Sequence, residues 1–249
     1  MRRQASPFAG AVLLATLAGA ALAGPPLTTE DPGVLAPGEL ELIVAATVTG
    51  DAAGRTWEFP VLDLSLGLLD DLQVSAAVPY VTVDPDGGPS DGDVGNPQLG
   101  IKWRFVNNQR LQLAFAPLYA FGVSVTKELG GIGDSRDVLF LPLTGELALG
   151  GDWTLTADAG YGIVRGGRDS LGYGAYLGRP LGSRANLYLE LHGSADKDFR
   201  RDFMNFHLGF DFELAAGLSL LFAGGAGLWA PGGEEAADYD FYLGLQLVR

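Results

Sequence analysis

Few residues of this 249-residue chain are of a type that does chemistry. It has two histidines, His192 and His207, and no cysteine. The missing cysteine excludes disulfides, zinc–thiolate centres and thiol nucleophiles. Ser194 stands near His192, but on the same predicted strand and face, which does not make a nucleophile–base pair. A membrane-embedded hydrolase would also set its nucleophile and histidine on the lipid-facing outside, whereas both histidines are predicted to point inward from neighbouring strands. No further ligand spacing accompanies them, so neither a metal site nor a cofactor is expected. The loop holding Asp84, Asp86, Asp91 and Asp93 departs from EF-hand spacing and reads as a solvated acidic loop. The run from Gly224 to Gly227 has no following helix that would make it a phosphate cradle. No catalytic residue is assigned, and the chain does not read as an enzyme.

The remaining reactive groups are charges. Thirty acidic residues against 16 Lys and Arg give a formal net charge of −14, which excludes nucleic acid as a partner. Glu41, Asp63, Lys102, Arg104, Glu146 and Asp158 fall on alternate positions of predicted strands, on the face opposite the leucines. They are expected to form an inward polar network, with Lys102 and Arg104 paired to carboxylates of neighbouring strands, because buried charges need partners. Nearer the outer end, the same parity turns Phe59, Val61, Val81, Leu118 and Phe140 inward. These positions are apolar where a water-filled porin would be polar. They are expected to line the path of a poorly water-soluble small molecule. A lumen closed by its own side chains is the competing reading.

The elements that must position these residues repeat one unit from about Gly38 onward. Runs of about ten residues alternate apolar with polar or small ones, as Leu99, Ile101, Trp103 and Phe105 alternate with Gln98, Gly100, Lys102 and Arg104. A period of two means strand, and about ten residues match a tilted crossing of the hydrocarbon layer. About twelve such runs are predicted, over 39–48, 57–68, 72–83, 98–106, 110–121, 138–149, 153–164, 171–180, 185–194, 203–214, 218–228 and 238–248. Tight turns at Leu69–Asp71, Asn107–Gln109, Gly150–Asp152, Gly182–Arg184 and Ala215–Gly217 alternate with mostly longer loops. The pattern is that of a transmembrane antiparallel β-barrel with short periplasmic turns and longer outer loops. None of the loops is long enough to be expected deep in the lumen. A soluble sandwich would also alternate, but it needs neither a leucine-rich face nor near-equal strand lengths.

Prolines and glycines interrupt the pattern. Pro60 and Pro79 are predicted near one another on adjacent strands, and Pro117 opposite Pro142. Proline cannot donate to the ladder, so these sites are expected either to open the wall locally toward lipid or to form bulges that curve it. Gly160, Gly162, Gly172, Gly174 and Gly178 point inward, where Tyr176 and Tyr188 are expected to pack over them.

Ahead of the barrel, Arg2 and Arg3 precede an apolar stretch from Phe8 to Leu22, with a small-x-small site ending at Ala23. Residues 1–23 therefore read as an export signal cleaved after Ala23, 24–37 as a periplasmic leader lying against or entering the barrel, and 38–249 as the barrel. The expected location is the outer membrane of a Gram-negative bacterium. The expected partners are its lipid and the barrel assembly machinery, and a monomer is expected.

One stretch is similar to a known family. Pro26-Leu27-Thr28-Thr29-Glu30-Asp31-Pro32-Gly33, then Leu66-Gly67-Leu68 with Asp70, Leu72 to Tyr80, Gly92-Asp93 and Gly100-Ile101-Lys102-Trp103-Arg104-Phe105 resemble outer-membrane proteins described as transporters of the meta-pathway of phenol degradation, which are grouped with long-chain fatty acid porins. The resemblance is densest over about residues 26–105. It implies a barrel for passive uptake of small hydrophobic or aromatic molecules. The alternatives are a closed scaffold barrel and a general diffusion porin whose acidic lumen favours cations. The leader, about 14 residues long, is too short for the plug domain of fatty acid porins. The chain ends in Leu247-Val248-Arg249 rather than in the aromatic residue common in such barrels.

Overall fold

The computed structural model describes residues 26–199, 202–231 and 236–249; the expected export signal lies outside them. The strands are β1 (Leu40–Asp51), β2 (Gly54–Leu69), β3 (Leu72–Pro85), β4 (Asp91–Val94), β5 (Gln98–Asn107), β6 (Leu111–Phe115), β7 (Leu118–Ala120), β8 (Val138–Gly150), β9 (Trp153–Val164), β10 (Ser170–Pro180), β11 (Ala185–Asp196), β12 (Asp202–Ala215), β13 (Leu218–Trp229) and β14 (Tyr239–Val248), with one short helix, α1 (Val125–Leu129), in an outer loop. Each neighbouring pair is antiparallel, and β1 pairs with β14, so the sheet closes on itself. The result is a closed barrel of 12 wall strands. Strands β6 and β7 together make one of them, broken at Ala116 and Pro117, while β4 extends the wall outward from β3.

Burial runs opposite to that of a water-soluble protein. Leu64, Leu99, Ile101, Leu143, Leu208 and Leu243 are exposed on the outside. Thr144, Thr156, Glu190, His192 and His207 are buried inside. A lipid-facing wall needs apolar side chains outward and tolerates polar ones inward, because the polar groups can satisfy one another there. Trp57 and Trp229 toward the outer rim, and Trp103 and Phe105 toward the turns, are exposed, as in the aromatic girdles of such barrels. The short turns follow local chemistry. Between β8 and β9, Gly150, Gly151 and Asp152 take φ of 93°, 61° and 65°, a left-handed path open to glycine and tolerated by aspartate.

Inside the wall, Ile43, Ala45, Val61 and Leu221 form a buried cluster with Tyr242 against it. The leader and a cavity also occupy the interior.

Candidate functional site

The leader enters the barrel. Its closest crossing is at Gly67, where any side chain would collide with the carbonyl oxygens of Leu35 and Ala36. Further along, the Leu35 N–H donates to Oε1 of Gln73 at 3.0 Å. At the centre, the leader is tied to four wall strands. The Thr29 N–H donates to Oε1 of Glu190 at 2.6 Å and the Glu30 N–H to Oδ2 of Asp158 at 3.1 Å. The Thr144 hydroxyl donates to the Glu30 carbonyl at 2.5 Å, and the Lys102 ammonium lies 2.5 Å from the Glu30 carboxylate. Thr29 sits over Gly174, whose missing side chain leaves the room. A segment without secondary structure can be buried only if its backbone groups find partners, and the lumen carboxylates supply them.

This arrangement revises the expected polar network. Lys102 pairs with the leader's Glu30, and more distantly with Asp31 at 3.9 Å, not with a carboxylate of a neighbouring strand. Arg104 does pair locally, with Asp71 at 3.0 Å and the Asp70 carbonyl at 2.9 Å. Glu41 accepts from Gln246, Glu146 from Thr156 and Gln112, and Asp158 from the leader. Asp63 faces the same interior.

Above the leader lies a cavity of about 140 Å³. Thr28, Thr29 and Glu30 form its floor. Ala116, Pro117, Leu118, Val138, Phe140 and Pro142 give it an apolar lining, and Ser75, Gln98, Asp158, His192 and Ser194 add polar atoms to it. It reaches the outer strand ends at Ala120, Val138, Ser170 and Ala195. Phe140 lies across Gly160 and Gly172.

The five expected path residues therefore separate. Leu118 and Phe140 line this cavity. Val81 lines a smaller one of about 30 Å³ beside Glu58 and Pro79. Val61 belongs to the packed cluster. Phe59 is 61% exposed and borders neither cavity. The register shifts between Glu58 and Val61, opposite a shift between Ala45 and Thr47 on β1. This bulge, which contains a cis Phe59–Pro60 bond, inverts the alternation. Glu58 takes the inward place that strict parity gives to Phe59.

Three of the four prolines keep their carbonyls in the ladder, whereas Phe59 and Pro60 are skipped in the pairing of β2 with both of its neighbours. The Pro79 carbonyl accepts from Gly95 N–H at 2.9 Å, that of Pro117 from Ile101 N–H at 3.0 Å, and that of Pro142 from Ala116 N–H at 3.1 Å. Proline lacks a donor but keeps its acceptor, and neighbouring strands use it. Pro117 stands one residue out of register with Pro142, which is opposite Ala116. The inward glycines are covered chiefly by Phe140 and the leader's Thr29, with Tyr188 over Gly178.

The outer mouth is partly roofed, contrary to the expectation from loop length. The loop between β7 and β8 turns inward and buries Ile132 to 3% exposure, with Gly131 to Asp134 closing the smaller cavity. Asn96 clamps it, donating to the Phe121 and Asp134 carbonyls at 2.7 Å and accepting from the Asp134 N–H at 2.8 Å. Lys127 of α1 bridges to Asp93 of β4 at 3.0 Å.

No protein-family model matches the chain, and neither does any curated protein. Solved structures do. A COG4313 outer membrane channel from Pseudomonas putida F1 superposes with a TM-score of 0.71 at 16% identity, covering 88% of this chain and 98% of that one. The KdgM porin gives 0.60 at 9% identity, covering 83% and 98%. The translocator domain of the autotransporter NalP from Neisseria meningitidis gives 0.56 at 12% identity, covering 84% and 88%. The fold is that of the outer-membrane β-barrels of Gram-negative bacteria, channels and porins among them. At these identities the likeness is one of fold, and what passes must be argued from the lumen.

Proposed function

We propose that this chain is an outer-membrane channel for passive uptake of small hydrophobic or aromatic molecules, held shut from below by its own leader. In this reading the export signal 1–23 is removed, 24–37 is the gate and the rest is the wall. The observation that carries the reading is the cavity between the outer strand ends and the leader, apolar along Ala116, Leu118, Val138, Phe140 and Pro142. Its volume is close to the ~150 Å³ of an engineered apolar cavity that admits benzene, so one monocyclic molecule fits. The polar atoms of its lining would orient a substituent, as is usual in small-molecule sites. With the leader tied into the lumen at Thr29 and Glu30, passage to the periplasm requires the leader to withdraw. The resemblance over residues 26–105 and the porin-like fold point the same way.

The test is uptake into liposomes carrying refolded protein, comparing a labelled monocyclic aromatic with a sugar of similar size. Faster passage of the aromatic supports the reading. Equal passage makes the protein a general porin. Passage of neither, with the barrel verified as folded and the leader deleted, makes it a scaffold.

A further inference from the structure

The lumen's two histidines lie side by side. His192 on β11 and His207 on β12 stack with ring centroids 4.8 Å apart and planes 24° apart. Glu190, with no exposed surface, stands beside them. Its Oε1 accepts the Thr29 N–H, and its Oε2 lies 2.8 Å from Nδ1 of His207. An ionised carboxylate only accepts, so Nδ1 of His207 carries a proton, and in the neutral ring its Nε2 then presents a lone pair. That Nε2 and the Nε2 of His192 are both buried without a hydrogen-bond partner among the described residues, and each histidine is 6% exposed. Asp240, from β14, brings Oδ2 to 4.0 Å from Nε2 of His207. Gly225 leaves the room in which the His207 ring lies.

A buried lone pair without a donor is costly to leave unmet. Two buried ring nitrogens without partners, with a carboxylate alongside, form a candidate donor set. A carboxylate behind one imidazole is the usual support of a metal-bound histidine, fixing its tautomer and raising its basicity. Imidazole nitrogen suits zinc, copper and nickel, whereas calcium and magnesium take oxygen. One ligand atom from each of Glu190, His192 and His207 already lies within 4.8 Å of the others. Donors around a tetrahedral zinc stand about 3.3 Å apart, so the stacked rings must turn for their Nε2 atoms to converge on one ion. We propose that the lumen binds one late first-row divalent cation through Nε2 of His192 and of His207, with Asp240 as a third donor and Glu190 positioning His207. His192 borders the main cavity, so the cation would reach the site from there. Glu190 also holds the leader, and metal and leader are therefore coupled through one side chain. The inference stands apart from the identity of the solute.

The experiment is calorimetric titration of untagged, chelator-treated full-length protein in detergent with Zn2+. One equivalent is expected to bind, with affinity reduced at least tenfold in His192→Gln and in His207→Gln. Glu190→Gln should lose roughly ten- to a hundredfold, as for other supporting carboxylates. Absence of saturable binding, or wild-type affinity in either histidine variant, overturns the proposal. Should the variants fail to fold on heat-modifiability gels, Cu2+ bound to the wild type is examined by electron paramagnetic resonance. Hyperfine coupling to two imidazole nitrogens supports the site, and an all-oxygen spectrum overturns it.

Discussion

The ammonium of Lys102 lies 2.5 Å from the carboxylate of Glu30, with the two side chains 11% and 8% exposed. One belongs to the barrel wall and the other to the leader, so a buried ion pair joins the fixed part of the molecule to the part proposed to move. Removing one partner of a buried pair costs about 3–5 kcal/mol, because the other charge is left uncompensated. Glu30→Gln is expected to raise the open probability in planar bilayers at least tenfold. The double variant Glu30→Gln with Lys102→Met should fall back toward wild type, since neither charge is then stranded. An open probability unchanged by Glu30→Gln would detach the leader from gating.

The seat of the leader gives a second, uncharged test. A side chain at Gly174 would run into the hydroxyl of Thr29. Gly174→Val should dislodge the leader and raise conductance while the barrel still assembles. Protection of the leader against a protease added on the periplasmic side reports the same event independently.

Phe140 and Phe59 separate the cavity from the outer surface. Phe140→Ala should enlarge the cavity and admit bulkier aromatics, seen as an uptake ratio shifted toward two-ring over one-ring solutes. Phe59→Ala should leave that ratio unchanged, because the bulge at Pro60 carries Phe59 out of the lumen.

The outer loops are joined by Lys127 and Asp93. The hydrogen bond from Lys127 holds the Asp93 carboxyl below its usual range. A carboxyl depressed in the folded state contributes above its unfolded value near pH 4 and stops contributing as pH falls through the depressed one. The tie is therefore expected at neutral pH and lost only in strong acid. Lys127→Met should speed hydrogen exchange of residues 122–137 at pH 7, and the wild type should match it only at acidic pH. An exposed pair contributes little to global stability, so the unfolding midpoint should stay put.

Sequence periodicity resolves the wall well. Leu99 to Phe105 against Gln98 to Arg104 gives strand, face and length together, because the lipid imposes one polarity along the whole crossing. Turns such as Gly150-Gly151-Asp152 are equally legible, since their backbone demands particular residues. What fails is whatever breaks the period or spans distance. The bulge of Glu58 to Val61 adds residues to one strand only, and parity counted past it puts Phe59 on the wrong side. Lys102 meets Glu30 across a stretch with no period, and Thr29 finds Glu190 with 161 residues between them. The histidine pair was visible as two inward residues on adjacent strands. The sequence does not show that Glu190 engages Nδ1 of His207, or that both Nε2 atoms are buried without a hydrogen-bond partner among the described residues.

The seam between β1 and β14 has a consequence for biogenesis. Leu40 and Arg249 exchange two backbone hydrogen bonds, of 2.6 and 2.8 Å, and the ladder runs on from Glu41 with Val248 to Gly50 with Tyr239. The first and last strands are each other's partners, so a polypeptide interrupted anywhere before β14 carries two bare edges and encloses nothing. Such edges recruit other chains. No lumen is enclosed, therefore, until β14 has paired with β1.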